Sequence, residues 1–360
     1  MASSPPFTMP GRWLGFRIWD FVGIWKLGFW IFLEPHFFER LVSFIRTVLG
    51  DIAPSALGIC YAHEHLIIEG EIIAVRFPEL LLDSVEHACR ELETFRRAGG
   101  RAMIDTMPWG AGRNVRKLAE ISRRTGIHVV APTGLHLPKY YKEGHPRFRL
   151  DADGLADVFV AEIDDGIDTN ERSGPHVEQL PHRAGVIKVA SGGDRLDAHE
   201  KTVFTAAAAA HRRTGAPVLT HTQHGQAALE QVEILGKGGV DLRHVVLSHT
   251  DRNANVSHHR AILKTGVNVE CDGAFRWKTG ERNGTLDLLV ALLPEFPDQI
   301  MLGTDAARRA YWRSYGGGPG LDFLLAEFSR RMREAGIGEN LLRKVFVENP
   351  ARTFAFLRSA

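Results

Sequence analysis

At 360 residues, the chain is long enough for one large α/β barrel or for two ordinary domains, and its 44% hydrophobic and 24% charged content is that of a soluble globular protein. A net charge of +1, with no long basic run, argues against nucleic acid as a partner. The three cysteines (Cys60, Cys89 and Cys271) are odd in number and lie in apolar surroundings. We interpret them as buried free thiols in a reducing compartment, which predicts a cytoplasmic location.

Residues 1–44 differ in composition from the rest of the chain. The stretch from Trp13 to Leu33 is dense in Trp, Phe, Ile and Leu and contains the charges Arg17, Asp20 and Lys26. In a helix these charges would not share a face, so the stretch is neither a clean amphipathic helix nor a clean membrane span, and no small-residue cleavage site follows it. We interpret residues 1–44 as an aromatic-rich extension. Three explanations stay open. The extension could be a helix packed on the domain or on a partner, or a peripheral membrane anchor. The first Met could also lie upstream of the true translation start.

From residue 45 to residue 360 the chain alternates short β-branched runs with amphipathic helical stretches. The runs predict eight strands: Gly58–Tyr61, Ala102–Thr106, His128–Thr133, Gly185–Ala190, Pro217–Thr220, Val245–Ser248, Val267–Glu270 and Ile300–Gly303. The helical stretches include Ser84–Ala98, Asn114–Thr125, Glu200–Thr214, Gln226–Gly236, Ser257–Thr265, Leu286–Leu293, Gly320–Ala335 and Glu339–Phe346. This alternation predicts an α/β fold, a (β/α)8 TIM barrel. A doubly wound open sheet is the alternative, but no GxGxxG motif follows the first strand.

Polar side chains stand where several of these strands end. The first strand leads into Ala62-His63-Glu64-His65, whose two histidines share one face because side chains alternate along a strand. The fifth strand ends at His221, the sixth at His249 and the eighth at Asp305. The C-terminal strand ends of such a barrel meet at one mouth, so four imidazoles and a carboxylate converge there and suit divalent metals. Glu64 points to the opposite face and is expected to be a structural partner.

The fourth strand carries Lys188 inside an otherwise apolar run. Burial lowers the pKa of a lysine, and the resulting amine can capture carbon dioxide as a carbamate, an anionic ligand able to bridge two metals. Taken singly, Lys188 could pair with a carboxylate, His221 could be a core histidine and Asp305 could cap a helical turn. Their joint position at the mouth favours a metal site. The histidines without a matching strand-end position are interpreted as surface or loop residues: His136, His145, His176, His182, His224, His244, His258 and His259.

Together these residues resemble the phosphotriesterase-like branch of the amidohydrolase superfamily. The matching stretches are Ala62–His65, Val186–Val189, Thr220–Thr222, Ser248–Arg252 and Gly303–Asp305, and the resemblance runs from Ile45 to Phe356. The stretch Val48–Ile52 is similar to the β-hairpin that opens these domains. The resemblance implies a hydrolase of ester bonds with two divalent metal ions, most often Zn²⁺, with Mn²⁺, Co²⁺ and Fe²⁺ as alternatives. Family members are often dimers, so a homodimer also stays open.

By that resemblance, His63, His65 and Asp305 would hold the more buried metal, His221 and His249 the more exposed one, and carbamylated Lys188 and a hydroxide would bridge them. Such a metal pair lowers the pKa of the bridging water and polarises the carbonyl or phosphoryl oxygen of the substrate. The hydroxide would attack the electrophile. Asp305 would be the catalytic residue, because it would take the proton of the hydroxide and pass it to the leaving oxygen.

The loops after the seventh and eighth strands carry most of the substrate prediction. They are rich in cations and tyrosines, and the second runs into the glycine-rich turn Gly316–Gly320, whose N–H groups can face an anion. Arginine forks suit phosphate oxygens, although some of these arginines could pair with surface acids or with the C-terminal helices. The eighth-strand loop is also similar to that of family members acting on phosphorylated sugar lactones. The candidate substrate-binding residues are Arg252, Arg276, Lys278, Arg308, Arg309, Tyr311, Arg313 and Tyr315, with the pair Tyr140 and Tyr141 after the third strand.

These observations lead to a first hypothesis: a binuclear metal-dependent lactonase that opens a polar or phosphorylated sugar lactone by attack of a metal-bridging hydroxide. The alternative within the same chemistry is a hydrolase of acyl-homoserine or other neutral lactones with promiscuous organophosphate (phosphotriesterase) activity. An alternative from another class is a membrane- or partner-docked binding protein with a structural metal site. Structural zinc sites are usually closed four-ligand sets, so an open mouth with six ligands argues against it.

Overall fold

The computed structural model describes residues 42–172, 176–276 and 282–358. The predicted extension, residues 1–44, lies outside these ranges apart from its last three residues, which already belong to a strand. The described residues form twelve strands: β1 (Val42–Thr47), β2 (Gly50–Ile52), β3 (Cys60–Glu64), β4 (Ala102–Asp105), β5 (His128–Val130), β6 (Pro132–Gly134), β7 (Val186–Ala190), β8 (Val218–His221), β9 (Val245–Ser248), β10 (Asn268–Cys271), β11 (Ile300–Leu302) and β12 (Phe356–Arg358).

A ring of parallel strands organises the fold. β3, β4 and β5 pair in that order, and β6 to β11 follow one another in a second parallel sheet. β5 and β6 are the two halves of one predicted strand, interrupted at Ala131, so the ring has eight strands. Its first and last strands meet where the N–H of Asp305, just after β11, donates to the carbonyl oxygen of His63 (3.1 Å). The fold is therefore the predicted (β/α)8 barrel.

Helices cover the outside of the ring. They are α1 (Glu71–Arg76), α2 (Val85–Arg97), α3 (Val115–Thr125), α4 (Ala152–Asp164), α5 (Ala198–Thr214), α6 (Ala228–Lys237), α7 (Val256–Leu263), α8 (Gly284–Leu292), α9 (Ser329–Glu334), α10 (Glu339–Arg343) and α11 (Asn349–Thr353), with π-helical turns at Leu324–Phe328 and Lys344–Glu348. Six of them start after a residue whose side chain accepts a hydrogen bond from the helix N-terminus, which is why they begin there: Ser84, Asn114, Asp151, Asp197, Asn255 and Asn283. None of the described helices is long and apolar enough to cross a membrane.

Apolar side chains fill the lower end of the barrel, which is the end where its parallel strands begin. β1 pairs antiparallel with β2 on one side and with β12 on the other, so the hairpin predicted at Val48–Ile52 is confirmed. Ile45 of β1 is buried in one cluster with the first residues of several barrel strands, including Cys60 and Val186. Apolar packing therefore fills much of the N-terminal end, beneath the polar side chains that stand at the C-terminal end.

Two glycines allow close approaches near that C-terminal end. A Cβ on Gly134, at the end of β6, would lie 1.9 Å from the carbonyl oxygen of Lys188 in β7. A Cβ on Gly303, just after β11, would lie 2.7 Å from the carbonyl oxygen of His63 in β3. A larger residue at either position would push the two chain segments apart. The glycines therefore set the distances between strands that carry the polar cluster.

Candidate active site

The polar cluster begins where β3 departs from regular pairing. Ala62 belongs to the apolar barrel interior, but the register between β3 and β4 shifts between Tyr61 and Glu64. A β-bulge of this kind re-aims the side chains around it. His63 and His65 accordingly both reach the mouth, with ring centroids 5.5 Å apart.

Glu64, between these histidines, holds the barrel closed. Its buried carboxylate accepts hydrogen bonds from the N–H and from Oγ1 of Thr304, both at 2.6 Å. Burial raises the pKa of Glu64 to about 8, against the effect of these hydrogen bonds. The expected structural role is confirmed, because Glu64 ties β3 to the segment that carries Asp305.

Four of the predicted ligands form the inner part of the cluster. Oδ1 of Asp305 lies 3.1 Å from Nε2 of His65 and 3.8 Å from Nε2 of His63. Nζ of Lys188, from β7, is 3.4 Å from Nε2 of His63. Ligand atoms of His63, His65 and Asp305 all lie within 4.8 Å of one another, so these three residues could hold one metal ion.

His249 and His221 extend the cluster outward. The ring centroid of His249 is 4.6 Å from that of His63 and 4.6 Å from that of His221. The structure thus brings all six sequence-predicted ligands into one group. A second set with ligand atoms within 4.8 Å contains His63, His249, Glu270 and Asp272, and its two acids were not predicted.

Asp272, directly after β10, is hydrogen-bonded to Nδ1 of His249. A carboxylate on Nδ1 fixes the imidazole tautomer and leaves Nε2 free for a metal. Oδ1 of Asp272 also accepts hydrogen bonds from Nη2 of Arg252 (2.8 Å) and Nη1 of Arg276 (3.0 Å). Asp272 therefore connects one histidine of the cluster with two cations at its edge.

The same two arginines hold Asp305. Nη2 of Arg252 and Nη2 of Arg276 donate to Oδ2 of Asp305, at 2.5 Å and 2.8 Å. The other carboxylate oxygen, Oδ1, is left facing His65. Burial raises the pKa of Asp305, but the hydrogen bond with His65 and the charge of Arg276 outweigh burial and hold the pKa well below its usual range. Asp305 is therefore anionic at neutral pH.

Burial also decides the protonation of the basic groups. It lowers the pKa of His63 and His221 well below the usual value, and that of His249 to about 4. These imidazoles are neutral at pH 7 and have an electron pair available. Burial lowers the pKa of Lys188 to about 7, so much of this lysine is an uncharged amine at neutral pH.

Two further features fit bound metal ions. Nε2 of His221 and both carboxylate oxygens of Glu270 are buried without a hydrogen-bond partner among the described residues, a costly state for polar atoms. His249 and Asp305 have positive φ angles, 66° and 44°, which cost non-glycine residues of order 1–3 kcal/mol each and cluster at functional sites. The donor set of nitrogen and oxygen atoms suits a divalent ion.

A cavity of about 410 Å³ opens above the cluster. Five of the predicted substrate-binding residues lie in its wall: Tyr140, Arg252, Arg276, Arg308 and Tyr311. The wall also contains His136, Lys139 and Gln223, which were not predicted. His136, interpreted from the sequence as a surface or loop residue, turns its ring into the cavity, 5.2 Å from the ring of His221. β6 ends at Gly134, one residue beyond the predicted end of the third strand, and the segment that follows it brings His136 to the mouth.

Four other predicted substrate-binding residues lie away from this cavity: Arg309, Arg313, Tyr315 and Tyr141. Arg309 and Arg313 form ion pairs with acids, which is the alternative weighed for the arginines of this loop. Tyr315 stacks on a histidine of α2, and the hydroxyl of buried Tyr141 accepts a hydrogen bond from the backbone N–H of His136. Their placement gives no support for substrate contact. Lys278 lies outside the described residues.

The barrel and the mouth together define a class of protein. Catalytic residues of (β/α)8 enzymes stand at the C-terminal strand ends, and here those ends carry histidines, a lysine and an aspartate able to hold metal ions. The family model described as "Phosphotriesterase family" matches residues 43–354, and the chain belongs to that family.

Individual relatives agree with this assignment. The chain is 30% identical over 324 residues to a phospho-furanose lactonase of Mycoplasmopsis agalactiae, covering 87% of this chain and 92% of that protein. Its fold is similar to the crystal structure of a lactonase from Listeria monocytogenes (TM-score 0.80, 32% identity, 88% and 100% of the two chains). It is also similar to the phosphotriesterase homology protein of Escherichia coli, solved with phosphate in its active site (TM-score 0.75, 29% identity, 83% and 99%). The chain is an ester-hydrolysing enzyme of the lactonase or phosphotriesterase type.

Proposed function

We propose that this enzyme is a metal-dependent lactonase for a polar, anionic lactone, with phosphorylated sugar lactones as its substrate class. The observation that carries the proposal is the charge of the cavity wall. Arg252 and Arg276 are compensated by Asp272 and Asp305, whereas Arg308 and Lys139 line the cavity without an ion pair to any residue in the described part of the chain, and the one further acid among the described residues of the wall is Glu79. Two cations without an ion pair, against the single acid Glu79, suit a substrate with a negative group away from its reacting ester.

The polar cluster fits two divalent ions, with Zn²⁺ as the expected metal. His63, His65, His221, His249 and Asp305 would hold the ions, together with Lys188 as a carbamate. Bound there, the ions would supply a water nucleophile at neutral pH and draw charge from the carbonyl oxygen of the ester. The neutral imidazoles and the uncharged fraction of Lys188 support this role, because metal binding and reaction with carbon dioxide both need an unprotonated nitrogen.

Asp305 is the residue we assign to proton transfer. Its Oδ1 faces the histidines and the cavity, and its carboxylate is anionic at neutral pH because of the hydrogen bond with His65 and the charge of Arg276. It can accept the proton of the attacking water and return it to the alkoxide oxygen that leaves when the ring opens. Arg252 and Arg276 hold Oδ2, so the orientation of this carboxylate does not depend on substrate.

Arg308, Lys139 and Tyr311 would recognise the anionic group. A guanidinium donates two parallel hydrogen bonds to phosphate oxygens, and an ammonium adds a second charge. The ring of Tyr311 lies edge-on against Phe275, with centroids 4.9 Å apart, and this packing restrains it. The names of the relatives support the same substrate class, since one is a phospho-furanose lactonase and another binds phosphate in its active site.

A substrate panel with metal analysis tests the proposal. The purified enzyme should contain two divalent ions per chain and should hydrolyse phosphorylated pentose or hexose lactones about 100-fold more efficiently than the unphosphorylated lactones, the ratio expected from two charge-assisted hydrogen bonds of about 1.5 kcal/mol each. Turnover of acyl-homoserine or alkyl lactones, with none of the sugar-lactone phosphates, would contradict it and favour the neutral-lactone alternative.

The variant Asp305→Asn tests the assignment of proton transfer to Asp305. Loss of turnover with unchanged folding and at least one retained metal ion is expected, because the amide cannot accept the proton. Retained turnover would show that Asp305 is not the proton acceptor.

A further inference from the structure

We propose that Glu91, on helix α2, is a positioning residue that fixes the loop after β11 (residues 306–322) and thereby aims Arg308 and Tyr311 into the cavity. The contact between α2 and this loop is an observation that does not depend on the proposed function. Its effect on substrate binding rests on the proposed function, in which those two side chains recognise the anionic group.

The loop is a folded body with two faces. Hydrogen bonds within it join the N–H of Gly318 to the carbonyl oxygen of Ala310 (3.0 Å) and the N–H of Gly320 to that of Tyr311 (2.9 Å). One face presents Arg308 and Tyr311 to the cavity. Because the loop is closed on itself, the direction of that face depends on the contacts of the opposite face as well as on the packing of Tyr311 against Phe275.

Glu91 makes the central contact on the opposite face. Oε1 of Glu91 accepts a hydrogen bond from the N–H of Ser314 (2.5 Å), and Oε2 accepts one from the N–H of Leu321 (3.3 Å). The two amides are seven residues apart, so one carboxylate holds both sides of the glycine-rich turn. Glu91 is only 1% exposed and forms no ion pair with a described residue. A buried carboxylate at a site where an apolar residue would pack is costly, and hydrogen bonds to the loop are what compensate it here.

Further contacts on the same face of the loop also hold it against the α2 region. His87, one turn before Glu91 on α2, stacks on Tyr315 with ring centroids 3.9 Å apart and an interplanar angle of 14°. Arg309 donates to the carbonyl oxygen of Leu81 (2.5 Å) and to Asp83 (3.0 Å), just before α2 begins. Three of the side chains first assigned to substrate thus belong to the framework of this loop: Arg309 and Tyr315 contact the α2 region, and Arg313 pairs within the loop with Asp322.

The consequence for specificity follows from where Arg308 and Tyr311 stand. Both are on the loop rather than on a barrel strand, so the barrel alone does not fix their distance from the metal cluster. Binding groups must be held to within about 0.5 Å to be effective. Glu91, which touches neither substrate nor the reacting atoms, would supply that precision.

The experiment compares Glu91→Gln with Glu93→Gln, a matched change on the same helix at an exposed residue paired with Arg96 and Arg97. In Glu91→Gln the amide group faces one of the two N–H donors and one hydrogen bond is lost. We expect amide exchange of residues 306–322 to accelerate about tenfold, as loss of one buried hydrogen bond implies, and KM for a phosphorylated lactone to rise by a similar factor. We expect kcat, metal content and the exchange of the barrel strands to stay unchanged. Glu93→Gln should match the wild type in all of these.

A second variant covers the case in which Glu91→Gln fails to fold. His87→Ala removes the ring that stacks on Tyr315 without placing an unpaired group in the core, and it should accelerate exchange of the same loop by a smaller factor. Unchanged exchange of residues 306–322 in the folded variants would overturn the proposal, as would a fall in kcat or metal content with KM unchanged. Wild-type enzyme that is inactive on phosphorylated lactones would overturn the proposed function alone, because loop exchange is measured without substrate.

Discussion

Asp272 accepts a hydrogen bond from Nδ1 of His249, and both side chains are buried. The same carboxylate binds Arg252 and Arg276, and these in turn hold Asp305. One acid thus orders a predicted ligand of each metal, His249 directly and Asp305 through two arginines. The two proposed ligand sets are therefore coupled through protein groups, independently of Lys188.

Replacement of this acid should weaken metal binding. In Asp272→Asn the charge that orients His249 and pairs the arginines is lost, and metal affinity should fall about 10- to 100-fold. Metal per chain after dialysis against graded chelator measures the effect. Asp287→Asn, which alters an exposed acid paired with Arg282, is the control and should retain the wild-type metal content. Equal retention in both variants would show that Asp272 does not support the ligand.

Removal of Arg308, one of the two cavity cations without an ion pair among the described residues, should weaken substrate binding. Arg308→Ala should raise KM for a phosphorylated lactone about 10- to 100-fold, as loss of a hydrogen-bonded charge of about 1.5–3 kcal/mol implies, with kcat changed little. Arg282→Ala removes an equal charge from an exposed residue outside the cavity wall and should leave KM unchanged. Steady-state kinetics on the phosphorylated and unphosphorylated lactones decides between these outcomes, and an equal rise in KM for both substrates would argue against a phosphate contact.

Metal-free enzyme should lose stability in mild acid. The pKa of His249 is about 4 in the folded chain, where burial lowers it, and 6.5 is the ordinary value. Between these values the unfolded state binds more protons, so the free energy of unfolding rises as the pH rises from about 4 to 6.5, by up to about 3 kcal/mol from this residue.

Urea unfolding of chelator-treated enzyme at pH 5 and pH 7.5 measures this slope. His249→Asn should reduce the slope but not abolish it, because burial also lowers the pKa of His63 and His221, whereas His224→Asn, which alters an exposed histidine, should leave it as in the wild type. A slope that is the same in all three proteins would mean that His249 does not titrate as its burial implies.

A single added methyl group should disturb the closure of the barrel. In Gly303→Ala the new Cβ would meet the carbonyl oxygen of His63 at 2.7 Å and Oε1 of Glu270 at 2.8 Å, so the segment carrying Asp305 must move. We expect a loss of about 1–3 kcal/mol in unfolding free energy, together with weaker metal binding. Gly338→Ala adds the same group where no atom lies within 4 Å and should be close to neutral. Denaturant unfolding with metal analysis distinguishes the two variants.

The strand ends were predictable from two patterns in the sequence: side chains alternate faces along a strand, and strands alternate with helices along the chain. Val245–Ser248 was predicted residue for residue, and His221, His249 and Asp305 follow directly from the rule that strand ends share one mouth. Glu270 carried the same signal as Lys188, a charged residue in an apolar strand, and could have been found by the same reasoning.

The remainder depended on local geometry that the sequence pattern does not contain. His136 reaches the cavity from the segment that follows β6, whose course has no periodic signature. In the loop after β11, Arg308 and Arg309 are adjacent and chemically identical, yet one faces the cavity and the other Asp83. Short helical turns and the contact with α2 decide that division, and neither has a periodic signature.

The apolar filling at the lower end of the barrel has a kinetic consequence. With Ile45 and its neighbours packed beneath the histidines, substrate and product share one route through the mouth. Opening of a lactone creates a carboxylate, so the product of the proposed reaction leaves with one more negative charge than the substrate had on entry. It must pass the same two cations, Arg308 and Lys139, that attracted the substrate. Release, rather than ring opening, is then the step that those cations slow, and accumulated hydroxy acid should compete with fresh lactone.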